Sequence, residues 1–156
     1  MPDGGLAAGG AGWTLGPGAR GVAQPSAPLV PGATDHQVLQ LAPGASATTP
    51  AVCVGLLHPT VRLLARGEAP LLSGLLSGRL RVEVLYEDVQ GNVHGAPVLG
   101  VALSGLGWAP TLPMPFLVNL GTLVRPDGST AVAFRLTAER AQWWVDDVSV
   151  DPFKAR

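Results

Sequence analysis

The sequence predicts an all-β fold, namely a single β-sandwich of jelly-roll type with about eight or nine strands. Apolar or alternating segments recur at about the 8–12-residue spacing of sandwich proteins, and turn-forming residues separate them. Almost no segment shows the periodicity of a helix. Because 156 residues are enough for one domain with a substantial core, residues 1–156 are predicted to form a single domain.

The N-terminal part of the chain is the least strand-like. Residues 1–35 are rich in Gly, Ala and Pro, with one aromatic anchor in Trp13-Thr14-Leu15. Residues 1–12 are predicted to form a Gly/Ala-rich arm that has too few large apolar groups to dock on its own domain. Small side chains allow close backbone approach, so such an arm could pair with an open edge strand of a second copy. The candidate assembly residues are Gly4, Gly5 and Leu6.

Eight strands are predicted after this arm, at residues 36–42, 51–57, 60–66, 79–87, 97–104, 116–124, 130–137 and 142–150. The clearest is 79–87, in which Leu80, Val82 and Val84 alternate with charged residues, as expected of a half-buried strand. The leucine pairs within 69–78 allow a short helical turn. Turn signals lie between the strands, including Pro43-Gly44, His58-Pro59 and Gly91-Asn92.

The last predicted strand places two adjacent carboxylates, Asp146 and Asp147, between Val145 and Val148. A carboxylate in an apolar strand is costly unless it is paired, hydrogen-bonded or bound to a metal. One interpretation is a clip that ties the end of the chain to its beginning, either by hydrogen bonds or through a structural calcium ion, which takes carboxylate and carbonyl oxygens. The other is a β-bulge or strand end with both carboxylates solvated.

Composition restricts the class of protein. Charged residues make up 13% of the chain, about half the usual share. The basic residues are scattered without a basic stripe, which argues against nucleic acid as a partner. No apolar stretch is long enough for a membrane helix, so membrane insertion is not expected. The single cysteine, Cys53, allows no internal disulfide and is expected to be a small buried residue.

Several short motifs together resemble a known family. They are Gly12-Trp13-Thr14, Val38-Leu39-Gln40-Leu41, Val82-Glu83-Val84-Leu85-Tyr86-Glu87-Asp88 with Gly91-Asn92, and Trp144-Val145-Asp146-Asp147-Val148-Ser149-Val150. Over most of its length the chain resembles carbohydrate-binding modules of the family 4, 9 and 22 type. It also resembles related β-sandwich domains on spore and cell surfaces of Gram-positive bacteria. The resemblance implies a jelly roll with a structural calcium, for which Asp147 is the best matching ligand.

Carbohydrate binding would require exposed aromatic rings, because a sugar face stacks on a ring while nearby polar groups read its hydroxyls. Trp143 and Trp144 are adjacent in a strand, so one should point into the core and the other outward. Trp108 follows Gly107 in a predicted loop and is the best exposed candidate. The candidate ligand or interface residues are Trp108, Trp144, Trp143 and Tyr86.

No enzyme is predicted. The three histidines lie beside turns without metal-ligand spacing, and no serine lies in a nucleophile-elbow motif. Adjacent strand residues point to opposite faces, so Asp146 and Asp147 cannot readily flank one glycosidic bond.

Two non-catalytic functions remain. The charge-poor surface and the Gly/Ala-rich arm favour a structural subunit that assembles with copies of itself, as a filament or surface layer. The alternative is a module that binds polysaccharide through exposed tryptophans. Either would be extracellular or at a cell or spore surface. The first residues contain no recognisable signal peptide, so we expect either a processed chain or export by lysis or a non-standard route.

Overall fold

The described part of the protein consists of β-strands and turns. A computed structural model describes residues 6, 10–24, 37–55, 60–68, 78–88, 90–98, 102–103, 107–116 and 129–151. These residues form thirteen strands in two antiparallel sheets, without a helix. Within the same ranges there is accordingly no helix long and apolar enough to cross a membrane. The prediction of an all-β sandwich is confirmed.

Each of the two sheets contains strands from the N-terminal, middle and C-terminal parts of the chain. The seven-stranded sheet contains β1 (Thr14–Leu15), β4 (Ser46–Thr48), β5 (Val52–Gly55), β7 (Arg79–Glu87), β8 (Val93–Pro97), β9 (Ala102–Leu103) and β12 (Ser129–Glu139). The six-stranded sheet contains β2 (Ala19–Ala23), β3 (Gln37–Leu41), β6 (Thr60–Glu68), β10 (Ala109–Pro110), β11 (Met114–Pro115) and β13 (Gln142–Asp151). Strand order is β1-β4-β12-β7-β8 in the first and β10-β6-β13-β3-β2 in the second.

The long strands agree best with the sequence pattern. The predicted strand 79–87 has the bounds of β7, while 60–66, 130–137 and 142–150 correspond to β6, β12 and β13. The pattern missed β2, β4 and β8, because these strands are partly or largely exposed and carry no strong alternation. Most of 116–124 and all but the last residue of the candidate helical turn at 69–78 lie outside the described residues.

The core lies between the sheets. Its largest side chains come from the central strands, including Leu39, Leu63, Phe134, Leu136 and Trp143, each fully buried. Phe116 and Phe134 meet edge to face with ring centroids 5.2 Å apart, a favoured aromatic geometry. The predicted anchor Trp13 is also part of this core.

The N-terminal arm differs from expectation at Leu6, whose side chain is 0% exposed and belongs to the core. The Trp13 amide donates to the Gly10 carbonyl at 2.9 Å, so a turn brings the chain back on itself. Gly10 has a φ of +83° and lies close to both Leu6 and Trp13. One leucine therefore docks on its own domain because the turn places it beside Trp13, and the prediction of an undocked arm is wrong at this residue. Gly4 and Gly5 lie outside the described residues.

Cys53 is exposed, which corrects the prediction of a buried residue. Its strand neighbours Val52 and Val54 pack on the core, so alternation along β5 turns Cys53 outward. It is a free thiol. The apolar run around it was a correct signal for the strand but did not indicate which face each residue occupies.

Candidate functional site

A row of four side chains crosses the outer face of the six-stranded sheet. Gln40 lies opposite Arg20 on β2 and opposite Trp144 on β13. Trp144 in turn lies opposite Arg66 on β6. Both strand neighbours of Trp144 belong to the core between the sheets, so Trp144 and the residues in register with it face away from the core. We refer to Arg20, Gln40, Trp144 and Arg66 as the Trp144 row.

Contacts within the Trp144 row hold its side chains in place. The Arg66 guanidinium carbon lies 4.8 Å from the centroid of the Trp144 ring, which is a cation–π contact. The Arg20 Nε donates to the Gln40 Oε1 at 2.7 Å. Trp144 is only 7% exposed, so a ligand on this face would meet the Arg66 guanidinium above the ring before the ring itself. Both arginines still have N–H donors beyond these contacts.

Trp108 extends the row at the edge of the sheet. Ala109 lies opposite Ala65 in the pairing of β10 with β6. One step along this antiparallel pair places Trp108 beside Arg66. Trp108 is half-buried, so its ring is more accessible than that of Trp144. The row thus combines one accessible ring, one covered ring, two guanidinium groups and an amide.

The neighbouring rows limit the usable surface. On one side, Gln142 Nε2 donates to Glu68 Oε2 at 3.3 Å, which adds polar groups that remain accessible. On the other side, Val38, Leu64 and Asp146 are 0%, 2% and 1% exposed. A ligand that lies flat on this face is therefore confined to the Trp144 row and the Gln142–Glu68 pair.

The four aromatic residues singled out in the sequence do not form one cluster. Register places Trp108 beside Arg66 at the edge of the six-stranded sheet, on whose outer face Trp144 lies, whereas Trp143 is 0% exposed in the core. The expected opposite orientation of Trp143 and Trp144 is found, but Trp143 cannot contact a ligand. Tyr86 lies in the other sheet, where it packs partly against the core and stacks on His94 with centroids 5.6 Å apart.

The turn between β7 and β8 is ordered by one carboxylate. Asp88 Oδ1 accepts from the backbone amides of Gln90 and Asn92, both at 2.9 Å. Its Oδ2 lies 2.7 Å from His94 Nε2. The hydrogen bond with His94, followed by those with Asn92, lowers the pKa of Asp88 well below its ordinary value. These contacts stabilise a hairpin turn and lie apart from the Trp144 row.

The adjacent carboxylates form an irregularity in β13. The pairing with β6 shifts register between Asp146 and Ser149, and Asp147 has a φ of +48°. The Asp147 amide donates to Asp146 Oδ1 at 2.8 Å. Among the described residues, no three His, Cys, Asp or Glu side chains converge in a way that could hold a metal. A calcium ion here would therefore need backbone carbonyl oxygens besides the two carboxylates.

The outer face of the seven-stranded sheet offers different chemistry. Arg79 pairs with Glu139, and Arg81 Nη2 lies 2.7 Å from Glu83 Oε1. Within the described ranges the aromatic side chains lie elsewhere, in the core, at its edge or on the other sheet. This face therefore presents paired charges without a ring on which a sugar could stack. Sequence reasoning identified Trp108 and Trp144 but missed Arg20, Gln40 and Arg66, because only strand register brings these residues together.

No protein-family model and no curated protein sequence matches this chain. Several solved structures have the same fold. The CBM22-1 xylan-binding domain of Paenibacillus barcinonensis Xyn10C aligns with a TM-score of 0.59 and 14% sequence identity, over 93% of this chain and 88% of that domain. TmCBM61, solved with β-1,4-galactotriose, aligns with a TM-score of 0.50 and 14% identity, over 97% of both chains.

A third similar structure is part of an enzyme. The CBM22-1 and GH10 modules of Clostridium thermocellum xylanase 10B, solved with xylohexaose, align with a TM-score of 0.59 and 10% identity. The alignment covers 94% of this chain and 27% of that one. The resemblance to carbohydrate-binding modules that the sequence motifs indicated is thus confirmed at the level of the fold.

Proposed function

We propose that this chain is a non-catalytic module that binds an extended polysaccharide on the outer face of its six-stranded sheet. The observation that carries the proposal is the Trp144 row with Trp108 at its end. Aromatic rings supply stacking surface, and Gln40, Arg20 and Arg66 supply hydrogen-bond donors and an acceptor in the same line. Sugar recognition requires this combination of rings and polar groups.

The shape of the site favours a chain of sugars over a single sugar. The row runs across strands β2, β3, β13 and β6 on the outer face of the six-stranded sheet. Strands lie about 4.8 Å apart, so the row is about 14 Å long. A ligand that contacts its whole length must extend over several sugar rings. A polysaccharide ligand also favours an extracellular location, where polysaccharides are accessible.

The arrangement of carboxylates near the row supports binding without hydrolysis. Glu68 is hydrogen-bonded to Gln142 at the border of the row, while Asp146 is buried and Asp147 lies at the bulge. Hydrolysis of a glycosidic bond by the usual mechanism needs two carboxyl groups on opposite sides of that bond. Among the residues that the structure describes, Glu68 is the carboxylate at the border of the row, and by itself it does not supply such a pair.

Polysaccharide binding is favoured over the self-assembling subunit for two reasons. The N-terminal arm was expected to pair with a second copy, but its residue Leu6 is buried in its own domain. The charge-poor composition that favoured assembly is equally compatible with a sheet face that binds neutral sugars. A structural calcium at Asp146 and Asp147 remains part of the proposal, with the role of tying the bulge of β13 to the rest of the fold.

The proposal is tested by measuring retention of the purified protein on xylan and on β-1,4-galactan, followed by titration calorimetry with soluble fragments. Trp108→Ala should weaken binding about tenfold or more, equivalent to about 1.4 kcal/mol, because it removes the accessible ring. Leu112→Ala is the matched control, since Leu112 is an exposed apolar residue of the same segment and should leave affinity unchanged. Lack of retention on every polysaccharide tested, by a protein shown to be folded, would contradict the proposal.

A further inference from the structure

We infer that the Trp144 row selects acidic polysaccharides, and that Arg20 and Arg66 bind the carboxylate groups of their uronic acid residues. This inference rests on the proposed function and adds the class of glycan. It is carried by the charge state and placement of the two arginines.

The two arginines of the Trp144 row lack acidic partners within the described ranges. Among the residues that the structure describes, neither Arg20 nor Arg66 has a carboxylate within ion-pair distance. Arg79 and Arg81, on the other sheet, are both paired with glutamates. The described carboxylates thus neutralise Arg79 and Arg81 on the seven-stranded sheet but neither arginine of the Trp144 row.

Contacts within the Trp144 row orient both guanidinium groups. Arg66 is held over the Trp144 ring, and Arg20 is held by Gln40 through its Nε. A guanidinium held in this way loses less side-chain entropy when it binds a ligand. Its remaining donors form a planar fork that matches the two oxygens of a carboxylate. A neutral sugar offers only uncharged hydroxyl, ring and glycosidic oxygens and forms weaker hydrogen bonds with the same donors.

The two arginines lie at opposite ends of the Trp144 row. Arg20 on β2 and Arg66 on β6 are separated by three strand intervals, or about 14 Å. One uronic acid residue cannot contact both. An oligosaccharide with repeated carboxylates can, and linking two weak contacts in one ligand raises affinity well above that of either alone. Glu68 would repel an anion at the border of the row, but its Oε2 accepts from Gln142.

The test compares three glycans on the full chain at low and high salt: polygalacturonate, highly methyl-esterified polygalacturonate, and neutral β-1,4-galactan. Polygalacturonate should bind at least tenfold more tightly than the other two. The preference should weaken between about 0.05 and 1 M salt, because the Debye length shortens from more than 10 Å to about 3 Å. Oligogalacturonides should bind and galacturonic acid alone should bind more than tenfold more weakly.

Substitutions assign the effect to the row. Arg20→Gln and Arg66→Gln should each reduce polygalacturonate affinity about 5- to 10-fold and galactan affinity by a clearly smaller factor, because glutamine keeps N–H donors but loses the charge. Arg66→Lys should retain part of the preference, since it keeps the charge but loses the planar fork. Arg135→Gln is the control, because Arg135 is an exposed arginine of β12 on the other sheet. Melting temperatures of all variants confirm that they are folded.

The outcomes separate the two proposals. Equal affinity for the charged and the neutral glycans would overturn the inference and leave the proposed function standing. Binding of a sulfated neutral glycan as tight as that of polygalacturonate would overturn the carboxylate preference in favour of general anion binding. Failure of all glycans to bind would overturn both.

Discussion

The docking of Leu6 on its own domain gives the sharpest test of how this chain behaves in solution. The side chain is 0% exposed and belongs to the core, next to Gly10 and Trp13. Leu6→Ala removes its branched end from that packing. If the contact is intramolecular, the substitution should destabilise the folded monomer. If the arm instead bound a second copy, the same substitution should weaken an oligomer.

The expected loss follows from the burial. Replacing a fully buried leucine by alanine costs about 2–5 kcal/mol, and we take about 3 kcal/mol within this range. A domain of this size loses about 2–4 °C in melting temperature per kcal/mol. The melting temperature should therefore fall by about 6–12 °C.

The backbone at Leu6 provides a second prediction from the same site. Its φ of +55° lies in the left-handed region, which costs a non-glycine residue about 1–2 kcal/mol. Leu6→Ala keeps that strain, whereas Leu6→Gly removes it while losing one further methyl group. Leu6→Gly should therefore be at least as stable as Leu6→Ala, the reverse of the order in an ordinary strand.

The assay is thermal unfolding followed by circular dichroism at two protein concentrations. Leu112→Ala is the control, because its side chain is 83% exposed and it should change stability by less than about 0.5 kcal/mol. The reasoning would be refuted if Leu6→Ala behaved like this control. It would also be refuted if the melting temperature of the natural chain rose with protein concentration, as expected when assembly contributes to stability.

Two further predictions concern the carboxylates. Calcium bound at the bulge should raise the melting temperature, and a chelator should reverse the rise; the free energy of unfolding should increase by about 2.7 kcal/mol at a calcium concentration of a hundred times the dissociation constant. Asp147→Asn keeps a residue that tolerates the positive φ and should abolish this response. A response unchanged in this variant would exclude Asp147 as a ligand. The pKa of Asp88 is lowered in the folded state, with His94 as the main cause. Asp88 therefore stabilises the folded state above its unfolded pKa near 3.8. This stabilisation is lost as the pH falls below that value. Asp88→Asn should therefore show less acid destabilisation than the natural chain between about pH 4 and pH 2 in thermal unfolding, and an identical pH dependence would contradict the assignment.

The elements that the sequence predicted well are those in which one face is buried along the whole strand. In β7 the alternation of Leu80, Val82 and Val84 with charged residues is complete, and the predicted bounds agree with the structure. Edge and connecting strands such as β2 and β8 were missed, because they are partly or largely exposed and need no apolar alternation. Their strand conformation comes from pairing with a neighbour distant in sequence or joined by a turn.

The sequence by itself determined the class of fold and the separation of Trp143 and Trp144 onto opposite faces, whereas a β-bulge at Asp146 and Asp147 was only one of two interpretations. These are local properties, since side-chain alternation along a strand follows from backbone geometry alone. It could not determine how much of each side chain is covered. For that reason it placed Cys53 inside and left Leu6 undocked, and the structure reverses both.

Only the tertiary structure decided the composition of the candidate site. Arg20, Gln40, Arg66 and Trp144 lie far apart in the chain and become one row through the register of three strand pairs. Register depends on which hydrophobic faces pack together across the whole sandwich, and a shift of one residue would send every side chain of a strand to the other face. A surface formed in this way has no motif that can be found along the sequence.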